Sequence, residues 1–204
     1  MLGSGKFLLN KKIVFILVVV LILIIGGIFL WINKPKEIKG SPDDYVIKET
    51  QEGIVVENSR AGLRFKVPDG WKARKVEVEE GSVVLYSPDA ESVYQGKIRP
   101  PLKKGCMIEI AVGYRKKTFE EIEKDIREEL KLLGVVKSEK FERIEIKNSP
   151  ALKITFNCSD LGSNIDVYIP RDRMFYGIGM SVGPQELERC NQELDRFLET
   201  ISFR

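Results

Sequence analysis

The chain has 204 residues, a formal charge of +3 and no histidine. Lack of histidine removes the commonest general base, the Ser-His and Cys-His nucleophile pairs, and most zinc and copper ligand sets. The charge is unevenly placed. Residues 1–40 hold six lysines and one acid, which leaves 33 − 6 = 27 basic and 30 − 1 = 29 acidic residues, a net of −2, for the remainder. That balance excludes nucleic-acid binding by the whole domain on electrostatic grounds.

Residues 1–12 read as a short cytoplasmic stub. From Ile13 to Ile32 there is no charged residue, and a helix of this length spans the roughly 30 Å hydrocarbon core. A cleaved signal has a shorter apolar core and a small-residue cleavage site. Here the run ends in Phe29-Leu30-Trp31-Ile32, then Asn33-Lys34-Pro35, so residues 13–32 read as a retained transmembrane signal anchor in a lipid bilayer. Trp31 suits the headgroup layer, and Lys11, Lys12 and Lys34 mark its interfaces. Lys6, Lys11 and Lys12 nearly balance Lys34, Lys36 and Lys39. Two points favour a cytoplasmic N-terminus and an extracytoplasmic domain in the cell membrane. Lys11 and Lys12 abut the run, and long domains translocate largely regardless of charge.

Residues 33–52 combine prolines, a Gly-Ser pair and many charges, and read as a flexible tether. Residues 53–204 are the size of one domain. "GLRFKVP" places Leu63, Phe65 and Val67 on one face of a strand. "KVEVEEGSVVLYSP" reads as two strands around Glu80-Gly81, the second apolar on both faces as a central strand would be. "CMIEIAVGY" alternates through Ile108, Ile110, Val112 and Tyr114. "RIEIKNSPALKITF" is a hairpin turning at Asn148-Ser149-Pro150, and "NIDVYIP" with "RMFYGIGMSV" form another around Pro170 to Asp172. In the last strand Gly177, Gly179 and Ser181 fall on one face, where a helix could approach closely.

The first helix begins at Thr118, which forms a capping box with Glu121. Phe119, Ile122, Ile126, Leu130 and Leu133 line its buried stripe, and Gly134 ends it. The second begins at Pro184 and buries Leu187, Cys190, Leu194, Phe197, Leu198 and Ile201. The three cysteines, Cys106, Cys158 and Cys190, have no metal spacing and read as small core hydrophobes. One disulfide is compatible with their number, but its connectivity is not readable.

The stretch "GLRFKVPDGW", the following "VVLYSPDA" and the closing "ELDRFLETISF" together resemble PsbP-like domains over about residues 58–204, in particular the membrane-anchored extracytoplasmic bacterial relatives. The resemblance implies an α+β fold, an αβα sandwich around a central antiparallel sheet, here preceded by one transmembrane helix. It also implies a non-catalytic domain in an extracytoplasmic setting. The anchor helix and the absence of histidine depart from the photosynthetic member, so neither a photosystem role nor an ion-binding residue carries over.

The main local charge anomaly is "VYQGKIRPPLKKGC", where Lys97, Arg99, Lys103 and Lys104 occur with no acid among them. Arg171 and Arg173 form a second basic pair at a hairpin tip. Both suit an anionic lipid headgroup or an acidic envelope protein, though a solvated loop has the same composition. Trp71, Tyr86 and Tyr168 could line a groove, yet strand aromatics are usually core. The adjacent pairs Glu79-Glu80, Glu120-Glu121 and Glu128-Glu129 cannot point at one site. Asn157-Cys158-Ser159 fits a glycosylation sequon.

No catalytic constellation, metal site or cofactor is expected. The expected function is a membrane-anchored, extracytoplasmic binding or scaffolding domain, with an accessory subunit of a larger membrane complex as the alternative. A Ser-Lys hydrolase is a further alternative, because "GMSVGP" resembles the serine box of membrane-anchored signal peptidases. Against it, Ser181 lies far from the anchor and no matching lysine strand is evident.

Overall fold

The computed structural model describes Val20, Leu23, Ile24 and residues 40–76, 81–92, 101–133, 136–158 and 162–204. The chain divides into two compact units, Met1–Glu37 and Ile38–Arg204. In the first, the three described residues are helical and exposed. The rest of the 13–32 run, with Lys11, Lys12, Trp31 and Lys34, lies outside the described residues. Among the described residues no helix is long and apolar enough to cross a membrane.

The second unit contains strands β1 (Tyr45–Thr50), β2 (Gly53–Asn58), β3 (Leu63–Lys66), β4 (Lys72–Val76), β5 (Ser82–Tyr86), β6 (Glu91–Ser92), β7 (Leu102–Lys104) and β8 (Cys106–Gly113). Helix α1 (Phe119–Leu133) follows, then β9 (Val136–Ile146), β10 (Ser149–Cys158), β11 (Gly162–Pro170), β12 (Phe175–Val182), helix α2 (Leu187–Thr200) and β13 (Ser202–Phe203). The strands make an antiparallel seven-stranded sheet in the order β4-β5-β8-β12-β11-β10-β9, a four-stranded sheet β1-β2-β3-β13, and a β6-β7 ribbon.

The two helices cover opposite faces of the large sheet. Ile122 and Leu130 of α1 cluster with Leu152, Ile154 and Phe156. Cys190, Leu194 and Phe197 of α2 cluster with Ala151, Ile165 and Val167. Neighbouring residues on a strand point to opposite faces, so Ala151 and Leu152 assign α2 and α1 to different sides. The four-stranded sheet shares the α2 side: Tyr45, Val56, Leu63 and Phe65 belong to the same core. Phe65 meets Phe197 edge to face with centroids 5.3 Å apart, a geometry that adds roughly 0.5–1.5 kcal/mol beyond area burial.

Several expectations need correction. Residues 40–52 are not tether. Pro42–Asp44 form a 3-10 turn capped by Ser41, and β1 pairs with β2 along its length. Lys48, Glu49 and Thr50 of β1 are exposed, while Tyr45 is buried and donates its hydroxyl to the Ile110 carbonyl at 3.4 Å. The β9–β10 turn is Lys147-Asn148, one residue earlier than read. Both residues have positive φ, as a two-residue hairpin that follows the strand twist requires, and Ser149 and Pro150 are already paired. Helix α2 starts at Leu187 because Gln185, at φ 65°, breaks the helical path after Pro184. The glycine face of β12 is on the α1 side of the sheet, and at Gly177 the Tyr168 ring lies beside it, with Cε1 3.6 Å from where a Gly177 Cβ would be. Cys106 and Cys190 are not separate core residues but a disulfide bridging β8 to α2. Their Cα atoms are 5.7 Å apart, a normal bridging distance.

The capping box stands as read. The Glu121 N–H donates to Thr118 Oγ1 at 3.2 Å, and the Thr118 N–H to Glu121 Oε2 at 2.8 Å. Glu79, Glu80 and Gly134 lie outside the described residues.

Candidate functional site

Strand register brings four connections to one end of the large sheet. Ser82 pairs with Ala111, Gly113 with Phe175, and Phe175 with Pro170. Tyr168 in turn pairs with Leu152, near the β9–β10 turn. The β4–β5, β8–α1, β9–β10 and β11–β12 connections therefore share this end. The opposite end holds Tyr86, Cys106, Val182 and Gly162.

An open cleft of about 630 Å³ lies at the first end. Lys116, Lys117, Arg171, Arg173 and Arg204 line it, against a single acid, Asp172. The β8–α1 connection supplies both lysines, the β11–β12 turn supplies Arg171 and Arg173, and the chain beyond β13 supplies Arg204. The Arg204 N–H donates to the Gly62 carbonyl at 2.8 Å, which fixes that segment beside the β2–β3 turn.

Packing holds these cations from behind. The Arg171 guanidinium sits 4.7 Å from the Phe203 ring centroid, and Phe203 in turn packs 4.8 Å from Tyr176. Lys117 Nζ lies 5.2 Å from the Phe175 centroid and donates to Asp125 at 2.6 Å. That hydrogen bond holds the Asp125 carboxyl below its ordinary range. Tyr176 forms part of the wall. Its hydroxyl donates to the Ala61 carbonyl at 2.6 Å, and burial pushes its pKa up. Among the described residues, Lys116, Arg171 and Arg173 have no carboxylate at ion-pair distance. Guanidinium forks present matched donors to carboxylate or phosphate, and a charge-assisted hydrogen bond is about twice as strong as a neutral one. Such an arrangement suits an anionic group. The cleft's tyrosine hydroxyl is committed to the Ala61 carbonyl, and its one acid, Asp172, is exposed.

The six basic residues singled out from sequence do not form one site. Arg171 and Arg173 enter the cleft. Lys103 and Lys104 lie at the opposite end, where Lys103 pairs with Glu91 at 3.0 Å and a Cβ on Gly183 would come within 2.8 Å of Lys104 Cα. Lys97 and Arg99 lie outside the described residues. Lys116, Lys117 and Arg204 were missed. The signal was present as "YRKKT", a basic run between a strand end and a helix cap.

The other candidates separate too. Trp71 belongs to the core beneath α2, while Tyr86 and Tyr168 pack in two different clusters, so the three line no common groove. The Ser181 hydroxyl is buried and hydrogen-bonded to Asn164 at 3.4 Å. Its cross-strand neighbours are Asn164 and Met107, so no lysine stands in register with it. Cys106, Cys190 and Glu186 place ligand-type atoms within 4.8 Å of one another. The two sulfurs are bonded together, however, and leave no thiolate for a metal. In the sequon, Asn157 hydrogen-bonds Ser138 and Ser163 within the sheet, and Ser159 lies outside the described residues.

No family model matches the chain, and no curated protein sequence does. Among solved structures the chain is similar to the solution structure of cyanobacterial PsbP (CyanoP) from Synechocystis. The identity is 10%, with 74% of this chain and 91% of that one covered at a TM-score of 0.49. It is also similar to a Pseudomonas aeruginosa protein of unknown function, at 12% identity over 78% of this chain and 97% of that one, with a TM-score of 0.42.

Proposed function

We propose that this chain is a membrane-anchored, extracytoplasmic PsbP-like domain that binds or scaffolds an anionic partner and catalyses no reaction. The observation that carries the reading is the cleft at the β11–β12 turn, where five cations face one acid. The apolar run at 13–32 and its flanking lysines support the anchor. The Cys106–Cys190 disulfide supports an extracytoplasmic setting, since such bonds persist in oxidising compartments. The family assignment rests on the sequence motifs "GLRFKVPDGW", "VVLYSPDA" and "ELDRFLETISF".

The binding half is tested by retention of the detergent-solubilised full chain on an immobilised polyanion. The expected result is retention that falls with salt, and markedly earlier elution of the K116Q/R171Q/R173Q variant. Equal elution of the two proteins would reject the cleft as the binding site. Protease accessibility on intact cells, together with carbonate extraction of membranes, tests sidedness and anchoring.

A further inference from the structure

We infer that the Arg171 end of the domain docks onto the anionic phospholipid headgroups of the membrane that holds its own anchor. This rests on the anchored reading of residues 13–32 proposed above. The chain enters the domain at that same end: the Ser41–Pro42 backbone lies so close to Gly81 that a Cβ there would come within 2.3 Å of the Ser41 carbonyl carbon. Asp44 then bonds Arg60 at 3.0 Å and accepts from the Tyr114 hydroxyl at 3.5 Å, which ties the incoming segment to residues adjoining the cleft.

Chain length makes this proximity matter. Only residues 33–39 separate the apolar run from Gly40. Fully extended, at up to about 3.5 Å each, they reach about 25 Å. Strand β8 has eight residues and carries the sheet about another 25 Å to its far end. Surface electrostatics act over about 8–10 Å at physiological salt, so a tether of this length favours contact by the near end over the far end.

Charge selects the occupant. Lys116, Arg171 and Arg173 sit on two separate connections and are exposed, and among the described residues they have no carboxylate partner. At the far end Lys103 is paired with Glu91. Cations spread over an open cleft match a continuous array of phosphates better than one deep subsite does. Free phosphate shares this chemistry, so the test separates the two sources.

The test is hydrogen exchange on the full chain reconstituted in vesicles of phosphatidylcholine, with or without phosphatidylglycerol. Segments 113–118 and 170–175 should exchange at least about fivefold more slowly when phosphatidylglycerol is present, the factor expected for each cation near an anionic surface. Added salt should remove the difference, K116Q/R171Q/R173Q should abolish it, and R171K/R173K should keep it. Equal exchange in both lipids, with the protein resistant to carbonate extraction, would overturn the docking while leaving the anchor intact. Protection in phosphatidylglycerol together with carbonate extractability would support docking and reject the anchor. Equivalent protection by inorganic phosphate in phosphatidylcholine vesicles would overturn the lipid assignment in favour of a soluble anion.

Discussion

Phe175 stands directly across from Gly113 in the β8–β12 ladder, and its ring fills the space that a side chain at 113 would occupy. A Cβ on Gly113 would meet Phe175 Cε1 at 2.2 Å. The same ring contacts Tyr168, with centroids 6.4 Å apart, and faces Lys117 at the cleft. Gly113→Ala must therefore displace the ring. Overpacking of this kind costs about 1–3 kcal/mol. The expected result is a lower urea midpoint with an unchanged slope. An unaltered midpoint would show that Phe175 is not held there.

The pairing of Gly113 with Phe175 also marks where sequence reading reached its limit. Alternation exposed each strand whose buried face is apolar: Leu63-Phe65, Ile108-Ile110-Val112 and Ile178-Met180 are all core. The α1 cap was legible because a capping box is a local motif. β1 was not, since Val46 and Lys48 to Thr50 are exposed and only Tyr45 is fully buried. β6, β7 and β13 are two or three residues long, too short for any periodicity. The site failed for a related reason. Arg171 and Arg173 were visible as a pair, but Lys116 and Arg204 join them only through strand register and the return of the C-terminal segment to Gly62. Contiguous charge in sequence pointed instead to Lys103 and Lys104, which the register carries to the other end.

Alkaline pH should weaken the fold. Burial holds the Tyr45 hydroxyl far above its ordinary value and also raises Tyr114 and Tyr176. Below pH about 10 both folded and unfolded chains keep these protons and nothing changes. Above it the unfolded chain releases protons that the folded chain retains. Stability then falls with rising pH, by up to about 1.4 kcal/mol per pH unit for each such tyrosine. Urea midpoints should drop as the pH rises above about 10, and Tyr45→Phe should flatten that drop. A midpoint insensitive to pH in this range would contradict the burial of these hydroxyls.

Thr118→Ala removes the hydroxyl that accepts from the Glu121 N–H and leaves the first turn of α1 uncapped. Loss of such a cap costs about 0.5–2 kcal/mol. Thr118→Ser should recover most of it. Thr118 also lines the cleft beside Lys116 and Lys117, so fraying should speed amide exchange over the first turn of α1 while leaving α2 unchanged. Equal stability of the Ala and Ser variants would refute the capping role.

The disulfide is the strongest single constraint on α2. Cys106 and Cys190 close a loop of 84 residues, and a cross-link of that span removes unfolded-state entropy worth about 4.5 kcal/mol at room temperature. The helix is otherwise held by its buried face, Leu194, Phe197 and Leu198. Its N-cap position, Glu186, makes no side-chain capping bond. On the solvent side, the Lys153 amine reaches Asn191 and Asp195 at 2.7 and 3.3 Å, and partly exposed contacts of this kind add little. Reduction of the full chain should therefore lower the denaturation midpoint and steepen its dependence on denaturant, because the unlinked unfolded state exposes more surface. Cys106→Ala/Cys190→Ala should reproduce both effects and no longer respond to reductant. Amide exchange in 187–200 should accelerate before that of the β8–β12–β11 strands. A wild-type midpoint unmoved by reductant, with no extra thiols titrating after unfolding in its presence, would mean that the two cysteines are not joined.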